Sequence, residues 1–305
     1  MGNNSHTHTH THNHIHAHHE DVKNIKAAFF LNLGFTLLEI VGGFFTNSIA
    51  ILSDAVHDLG DSLSLGLAWY FQKYSRKKSD KHYTYGYKRF SLVGALINSI
   101  VLVIGSVLIL SEAIPRIFEP QHSNPKGMFL LAIIGVIVNG TAALRLRSGN
   151  SLNEKVVSLH LLEDVLGWIA ILIGSVVMYF FDVPVIDPIL SILITIFVLS
   201  NVFKNVRELS RIILQGTPQT IETDDIIEQI KHIDNIDSLH DLHIWSVDGN
   251  YNVLTIHVVL NTSQSLEQLS ELKNKIRQKL QEKGIEHVTI EFETPDEVCK
   301  FEDCC

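Results

Sequence analysis

Six long apolar runs dominate the first two thirds of the chain. They lie at roughly 27–46, 48–72, 90–118, 127–146, 156–181 and 184–206. Each reaches the ~20 residues that an α-helix needs to cross the hydrocarbon core of a bilayer. Gly and Pro occur inside several runs, which membrane helices tolerate. Past residue 215 the pattern shortens and becomes periodic. It predicts a helix over 222–233, strands near 239–247 and 251–260, a helix over 266–282 and a last strand over 287–293. The "DGN" at 248–250 is a hairpin turn signal between the first two strands. The order αββαβ suits a small α+β sandwich with both helices on one sheet face. The predicted class is therefore a membrane α-helical protein with six transmembrane helices plus a C-terminal α+β domain.

Composition supports that division. Charged residues make up 19% of the chain, against about 25% in ordinary soluble proteins, and the mean hydropathy is +0.19. A disordered chain, a collagen and a disulfide scaffold are excluded. Charge is uneven: residues 1–215 hold 17 Lys/Arg against 15 Asp/Glu, whereas residues 216–305 hold 7 against 18, a balance of −11. Such an acidic segment is a poor partner for nucleic acid. Basic residues also set orientation. The linker after the second run carries Lys73, Arg76, Lys77, Lys78, Lys81, Lys88 and Arg89, and the linker after the fourth carries Arg145, Arg147 and Lys155. The opposite linkers hold only Arg116 and Lys126. With an even number of spans, both termini are expected on the basic, cytoplasmic side. The expected divisions are a His-rich tail over 1–26, a six-helix membrane domain over 27–215, a cytosolic domain over 216–293 and a Cys-containing tail over 294–305.

The few ionisable residues inside the apolar runs are the informative ones, because each is costly unless paired or hydrated. The second run contains Asp54, His57, Asp58 and Asp61, and the fifth contains His160, Glu163 and Asp164. Both share the spacing H-x-x-x-D, as His57/Asp61 and His160/Asp164. Residues four apart lie on one helix face, one turn from each other. A single such pair reads equally as an interhelical hydrogen bond. Two pairs in separate spans offer two imidazoles and two carboxylates, a donor set suited to tetrahedral Zn²⁺ at about 2.0–2.2 Å. Asp54, Asp58 and Glu163 fit a supporting shell, a proton relay or plain structural pairing. Asn32 and Glu39 in the first run, and Asn98 in the third, fit polar contacts between helices.

The six runs, the duplicated H-x-x-x-D and the stretch "GGFFTNSIAILSDAVHDLGD" resemble the cation diffusion facilitator family, in its bacterial zinc/cadmium/cobalt exporter branch. "HDLHIW" at 240–245 and "TIHVVL" at 255–260 resemble that family's cytosolic domain. The resemblance implies a homodimer, a ferredoxin-like cytosolic domain and alternating access driven by proton exchange. It places His240, His257, Glu291 and Glu293 at regulatory metal sites, where other members often have His or Asp instead of the two glutamates. Manganese-type members carry D-x-x-x-D in the second span, and this chain does not. The segment at 79–88, "SDKHYTYGYK", resembles a linker metal site reduced to Asp80 and His82. A basic solvated loop is the better reading there.

Two further clusters of metal-binding residue types flank these elements. Cys299, Cys304 and Cys305 crowd the last seven residues. Disulfides are rare in the cytosol, so soft-metal binding competes with plain exposed thiols as their reading. At the other end, His6, His8, His10, His12, His14, His16, His18 and His19 form an interleaved tract. It is expected to capture divalent metal weakly at many points. The expected activity is secondary active export of Zn²⁺, with Cd²⁺ or Co²⁺ as further cargo, against protons. A membrane-embedded metal sensor, or a transporter mainly for Ni²⁺ or Fe²⁺, is the alternative. An enzyme is not expected: H-E-x-x-H is absent, and a four-ligand site leaves no open position for water. The expected partners are divalent metal ions, protons and the lipid bilayer. The expected location is a bacterial inner membrane, because a long His-rich loop between spans four and five is lacking.

Overall fold

Runs of Leu, Ile, Val and Ala broken by few charges become long helices, and the short alternating runs become strands. The computed structural model describes Phe30, residues 32–75, 77–147 and 152–294, and Glu297. The His tract and all three cysteines lie outside the described residues. Among the described residues, the first two thirds hold α1 (Asn32–Thr46), α2 (Ile49–Ser75), α3 (Phe90–Phe118), α4 (Pro125–Arg147), α5 (Leu152–Phe181) and α6 (Ile186–Ile213). The remainder folds as α7 (Thr223–Lys231), β1 (Ile236–Ser246), β2 (Asn252–Leu260), α8 (Leu266–Glu282) and β3 (His287–Glu293). This is the expected αββαβ order.

Four of the long helices are apolar enough to cross a membrane: Phe90–Phe118, Pro125–Leu144, His160–Phe181 and Ile186–Ile213. The described part of α1 is a shorter apolar helix, and α2 is not among the four. The physical reason in α2 is its load of Asp54, Asp58 and Asp61, which interrupts an otherwise apolar sequence.

The chain divides into two units, one of residues up to 70 with 97–203, the other of 71–96 with 204 onward. In the first unit the usual soluble pattern is reversed. Val107 and Leu108 on α3, Leu130 and Ile137 on α4, Ile173 on α5 and Leu193 on α6 are exposed. Glu39, Asp54, Asp58, Ser53 and Thr195 are buried. Apolar outside and polar inside is the arrangement that lipid, rather than water, stabilises.

The interior of this unit is organised around Trp168 of α5, packed with Ala50, Ile51, Met128, Ala132 and Ile171. Gly135 of α4 makes room for it. A Cβ at Gly135 would lie 2.2 Å from the indole ring, so no larger residue fits there without moving the ring. The start of α2 is held by a carboxylate. Asp187, at the start of α6, accepts from the backbone N–H of Ile49 (2.8 Å) and Ala50 (3.2 Å) and from the hydroxyls of Ser48 (2.5 Å) and Ser123 (3.2 Å). This satisfies otherwise orphaned N–H groups of the helix and places negative charge at its positive end.

In the second unit the three strands form one sheet in the order β1-β2-β3. β1 and β2 are antiparallel, and β2 and β3 are parallel. Leu254, Ile256 and Val258 of β2 alternate onto the face packed by Ile226 and Ile230 of α7 and Leu272, Ile276 and Leu280 of α8. The side-chain period of two then sends His257 to the opposite face. α8 starts with a capping box between Ser265 and Gln268, which satisfies two orphaned donors. The hairpin turn is closed by Asp248, whose Oδ1 accepts from the N–H of Asn250 (3.0 Å) and Tyr251 (2.8 Å).

The linker before α3 also belongs to this unit. Gly86 has φ +78°, and a Cβ there would meet the Lys77 carbonyl at 3.3 Å, so the loop folds back on itself only with glycine. Asp80 ties it together. Its carboxylate accepts from the Tyr87 hydroxyl (2.6 Å) and from the N–H of His82 and Tyr83 (2.9 Å each). The Tyr87 hydrogen bond, followed by the two backbone donors, holds its carboxyl down at about 2.

Candidate metal centres

Two clusters of metal-binding residue types stand out, one in each unit. In the first unit, α2 presents His57 and Asp61 one turn apart, and α5 presents His160 and Asp164 with the same spacing. The two faces meet. His160 Nε2 is 2.8 Å from Asp61 Oδ2, and His57 Nε2 is 3.7 Å from the same oxygen. His57 Nε2 also lies 3.6 Å from Asp164 Oδ1. The two imidazole rings meet edge to face at 5.7 Å. For a tetrahedral ion with bonds near 2.0 Å, neighbouring donors are about 3.3 Å apart. The observed separations bracket that value: His57, His160 and Asp164 each offer a ligand atom within 4.8 Å of the others, and Asp61 lies against both histidines.

The surroundings suit a cation that passes through. A cavity of about 450 Å³ is lined by Asp54, His57, Glu163 and Asp164, and by Leu193 and Phe197 of α6. Asp54 and Asp58 are buried beside the histidine, and Asp54 Oδ2 has no hydrogen-bond partner among the described residues. Glu39 of α1 lies against Asp58. Neither of its carboxylate oxygens finds a hydrogen-bond donor among the described residues. Asn32 bridges α1 to α2, donating to the Asp58 carbonyl and to Ser62 Oγ, both at 3.0 Å. The expected polar contact between helices is therefore present at Asn32, whereas Asn98 Oδ1 is buried without one.

The second cluster is built by strand register. His240 of β1 pairs with His257 of β2, which pairs with Glu291 of β3. Glu293, two residues along β3, reaches diagonally to both histidines. His257 Nδ1 is 2.7 Å from Glu293 Oε1, and His240 Nε2 is 3.1 Å from Glu293 Oε2. Glu291 Oε2 is 3.4 Å from His257 Nε2. All four residues predicted from the sequence therefore converge on one sheet face.

Asp241 joins them, and sequence reasoning missed it. Simple alternation puts it on the face opposite His240. A register irregularity between His240 and His243, with Asp241 at φ +50°, turns it to the histidine side. There its Oδ2 is 3.3 Å from His257 Nε2, and its Oδ1 is 2.8 Å from His243 Nε2. Asp is among the few non-glycine residues that tolerate this backbone region, which is the one signal that could have pointed to it. His287 stands outside the cluster, at the start of β3, with its ring 5.7 Å from that of Tyr85. Asp80 is committed to its own loop, so the reduced linker site keeps only His82, which is exposed.

Comparison with known proteins gives a consistent picture. Residues 25–214 match the family profile described as cation efflux transmembrane domain, and residues 218–295 match that described as cation efflux protein, cytoplasmic domain. A cadmium, cobalt and zinc/H(+)-K(+) antiporter of Bacillus velezensis is 38% identical over 276 residues, covering 89% of this chain and 88% of that one. The zinc transporter ZitB of Escherichia coli is 30% identical over 289 residues, covering 93% and 90%. A metal-bound C-terminal domain of the CzcD transporter from Cupriavidus metallidurans is 37% identical. It covers 24% of this chain and 99% of its own, with a TM-score of 0.21.

Proposed function

Because the chain belongs to the cation diffusion facilitator (cation efflux) family, we propose that it exports Zn²⁺ from the cytosol in exchange for protons, with Cd²⁺ and Co²⁺ as further cargo. The observation that carries this reading is the meeting of His57, Asp61, His160 and Asp164 between two helices of the membrane unit. A sensor that only reports cytosolic metal has no use for a four-donor site flanked by apolar, lipid-facing helices. The names of the relatives, a Cd/Co/Zn antiporter and a zinc transporter, agree with it.

The four side chains bind cargo as neutral imidazoles and ionised carboxylates, so metal and protons compete for the same atoms. Histidine suits this exchange because its ordinary pKa of about 6.5 lies close to cellular pH. The protein binds metal from the cytosol, exposes the site outward, and returns with protons. In this reading α1 and α2 join the four apolar helices as spans, giving six over 27–215. Both termini are cytoplasmic, the membrane is a bacterial inner membrane, and the αββαβ domain over 216–293 is a ferredoxin-like module that pairs two copies. Movement of the ion is the whole activity, with no covalent chemistry assigned.

The test is zinc uptake into proteoliposomes with an imposed pH gradient. An acidic lumen is expected to accelerate uptake of external zinc. Uptake that ignores the gradient removes proton exchange from the scheme, and binding without uptake converts the protein into a sensor.

The sheet cluster is assigned to a resident regulatory metal held by His240, His257 and Glu293, with Asp241 and Glu291 on the other ring nitrogen of His257. Bound metal would supply positive charge to an acidic domain. Glu293→Gln is expected to weaken zinc binding to this domain by about 100-fold or more, because direct loss of a ligand exceeds the 10–100-fold that follows loss of a ligand's support, while transport persists. Calorimetry on full-length Asp61→Asn protein with and without Glu293→Gln reads the change at this site against the constant contribution of the other metal-binding residues, and unchanged affinity would remove Glu293 from it.

A further inference from the structure

We propose that the linker between α2 and α3 forms, with the sheet edge, a pocket that binds the phosphate-bearing headgroup of an anionic phospholipid. A cavity of about 740 Å³ is lined by Lys77, Lys78 and Lys88, by the hydroxyl-bearing Thr84, by Tyr251 just before β2 and by His287 at the start of β3. Neither Asp nor Glu lines it. This is a cationic hollow in the otherwise acidic soluble part of the chain.

Lys77 pairs with Asp80 and donates to the Tyr87 hydroxyl at 3.0 Å, and the charges of Lys78 and Lys88 are left uncancelled. Three carboxylates lie close by in sequence, and each is already occupied by donors. Asp80 takes the Tyr87 hydroxyl and two backbone N–H groups, with Lys77 at 3.7 Å. Asp248 closes the hairpin turn. Glu286 accepts from the Asn252 N–H at 2.7 Å. Among the described residues, Lys78 and Lys88 make no ion pair. The Lys88 ammonium instead sits 3.2 Å from the centroid of the Tyr251 ring, a cation–π contact that orients the charge without cancelling it. The Tyr85–His287 ring contact and the fold-back at Gly86 give the hollow fixed walls.

Placement in the chain identifies the occupant. Lys88 stands two residues before Phe90, where an apolar helix of membrane-spanning length begins, and Lys77 and Lys78 directly follow the end of α2. Lys and Tyr at that position meet the headgroup layer, where anionic lipid concentrates negative charge. A free phosphate shares the recognised chemistry but not this placement.

The test uses delipidated full-length protein in neutral detergent, followed by native mass spectrometry. Short-chain phosphatidylglycerol, phosphatidylcholine and inorganic phosphate are titrated separately and in competition. Wild type is expected to retain phosphatidylglycerol over phosphatidylcholine. Lys88→Gln is expected to weaken retention roughly fivefold, and Lys78→Gln/Lys88→Gln roughly 25-fold, on the scale of one screened charge per lysine. Lys78→Arg/Lys88→Arg is expected to restore it, and Lys81→Gln, outside the lining, to leave it unchanged. Equal retention by wild type and the double glutamine variant overturns the site. Displacement of the lipid by inorganic phosphate at equal concentration overturns the lipid as its occupant.

Discussion

Asp61→Asn is expected to lower zinc transport by about 100-fold or more, because direct loss of a ligand exceeds the 10–100-fold that follows loss of a ligand's support. Asp61 is the most connected member of its site. One oxygen, Oδ2, lies 2.8 Å from His160 and 3.7 Å from His57, so it links the two helices that supply the donors. Asparagine keeps the shape and removes the charge. The divalent ion then loses a counter-charge in a half-buried setting where solvent replaces it only in part. Folding is expected to survive, since an amide in the same place still hydrogen-bonds an imidazole. Zinc uptake in proteoliposomes, with size-exclusion of the purified variant as the control, reads both. Transport at the wild-type rate would sink the assignment of all four residues, because the geometry gives Asp61 no lesser part.

The second large effect is expected at Trp168. It is 1% exposed and sits at the centre of the membrane unit's interior. Trp168→Ala is expected to cost about 3–5 kcal/mol. In lipid the lost term is mostly packing, since apolar surface gains little by leaving a bilayer for a protein interior. Function should follow stability, because Trp168 lies one turn beyond Asp164 on the same face of α5. The partner in this packing is Gly135. Gly135→Ala alone drives a methyl into the indole and is expected to cost about 1–3 kcal/mol. In the Trp168→Ala background the same methyl falls into the vacated space, so the two changes should be strongly non-additive. Thermal unfolding of the four proteins in detergent completes the cycle. Additive losses would show that the close approach of α4 and α5 does not depend on this pair.

Much of this was legible in the chain. Long apolar runs marked the helices of the membrane unit, because bilayer thickness demands length, although α6 continues to Ile213, seven residues past the run read for it. The αββαβ order followed from periodicity and the Asp248–Asn250 turn. The H-x-x-x-D pairs were readable because helix geometry alone puts residues four apart on one face. What stayed hidden depends on contacts between distant segments. Asp241 reaches the histidine cluster only through a local break in strand alternation. Asp187 reads as one acid at the edge of an apolar run until the start of α2 is seen resting on it. Tyr251 and His287 meet the basic linker through tertiary folding that no local pattern records. α2 is not among the helices apolar enough to cross a membrane, because the residues that give it chemistry are the ones that dilute its apolarity.

The carboxylate at the start of α2 has a mechanical consequence. Asp187 clamps the helix at Ile49 and Ala50, and Asp61 lies twelve residues further along, about 18 Å at helical rise. With one end held, the helix acts as a lever with a fixed pivot. A tilt of about 10° moves Asp61 by about 3 Å, more than the length of a metal–ligand bond, while the clamped end hardly shifts. Small angular changes near the pivot are therefore magnified at His57 and Asp61, and the four proposed ligands can be drawn apart without unwinding a single turn.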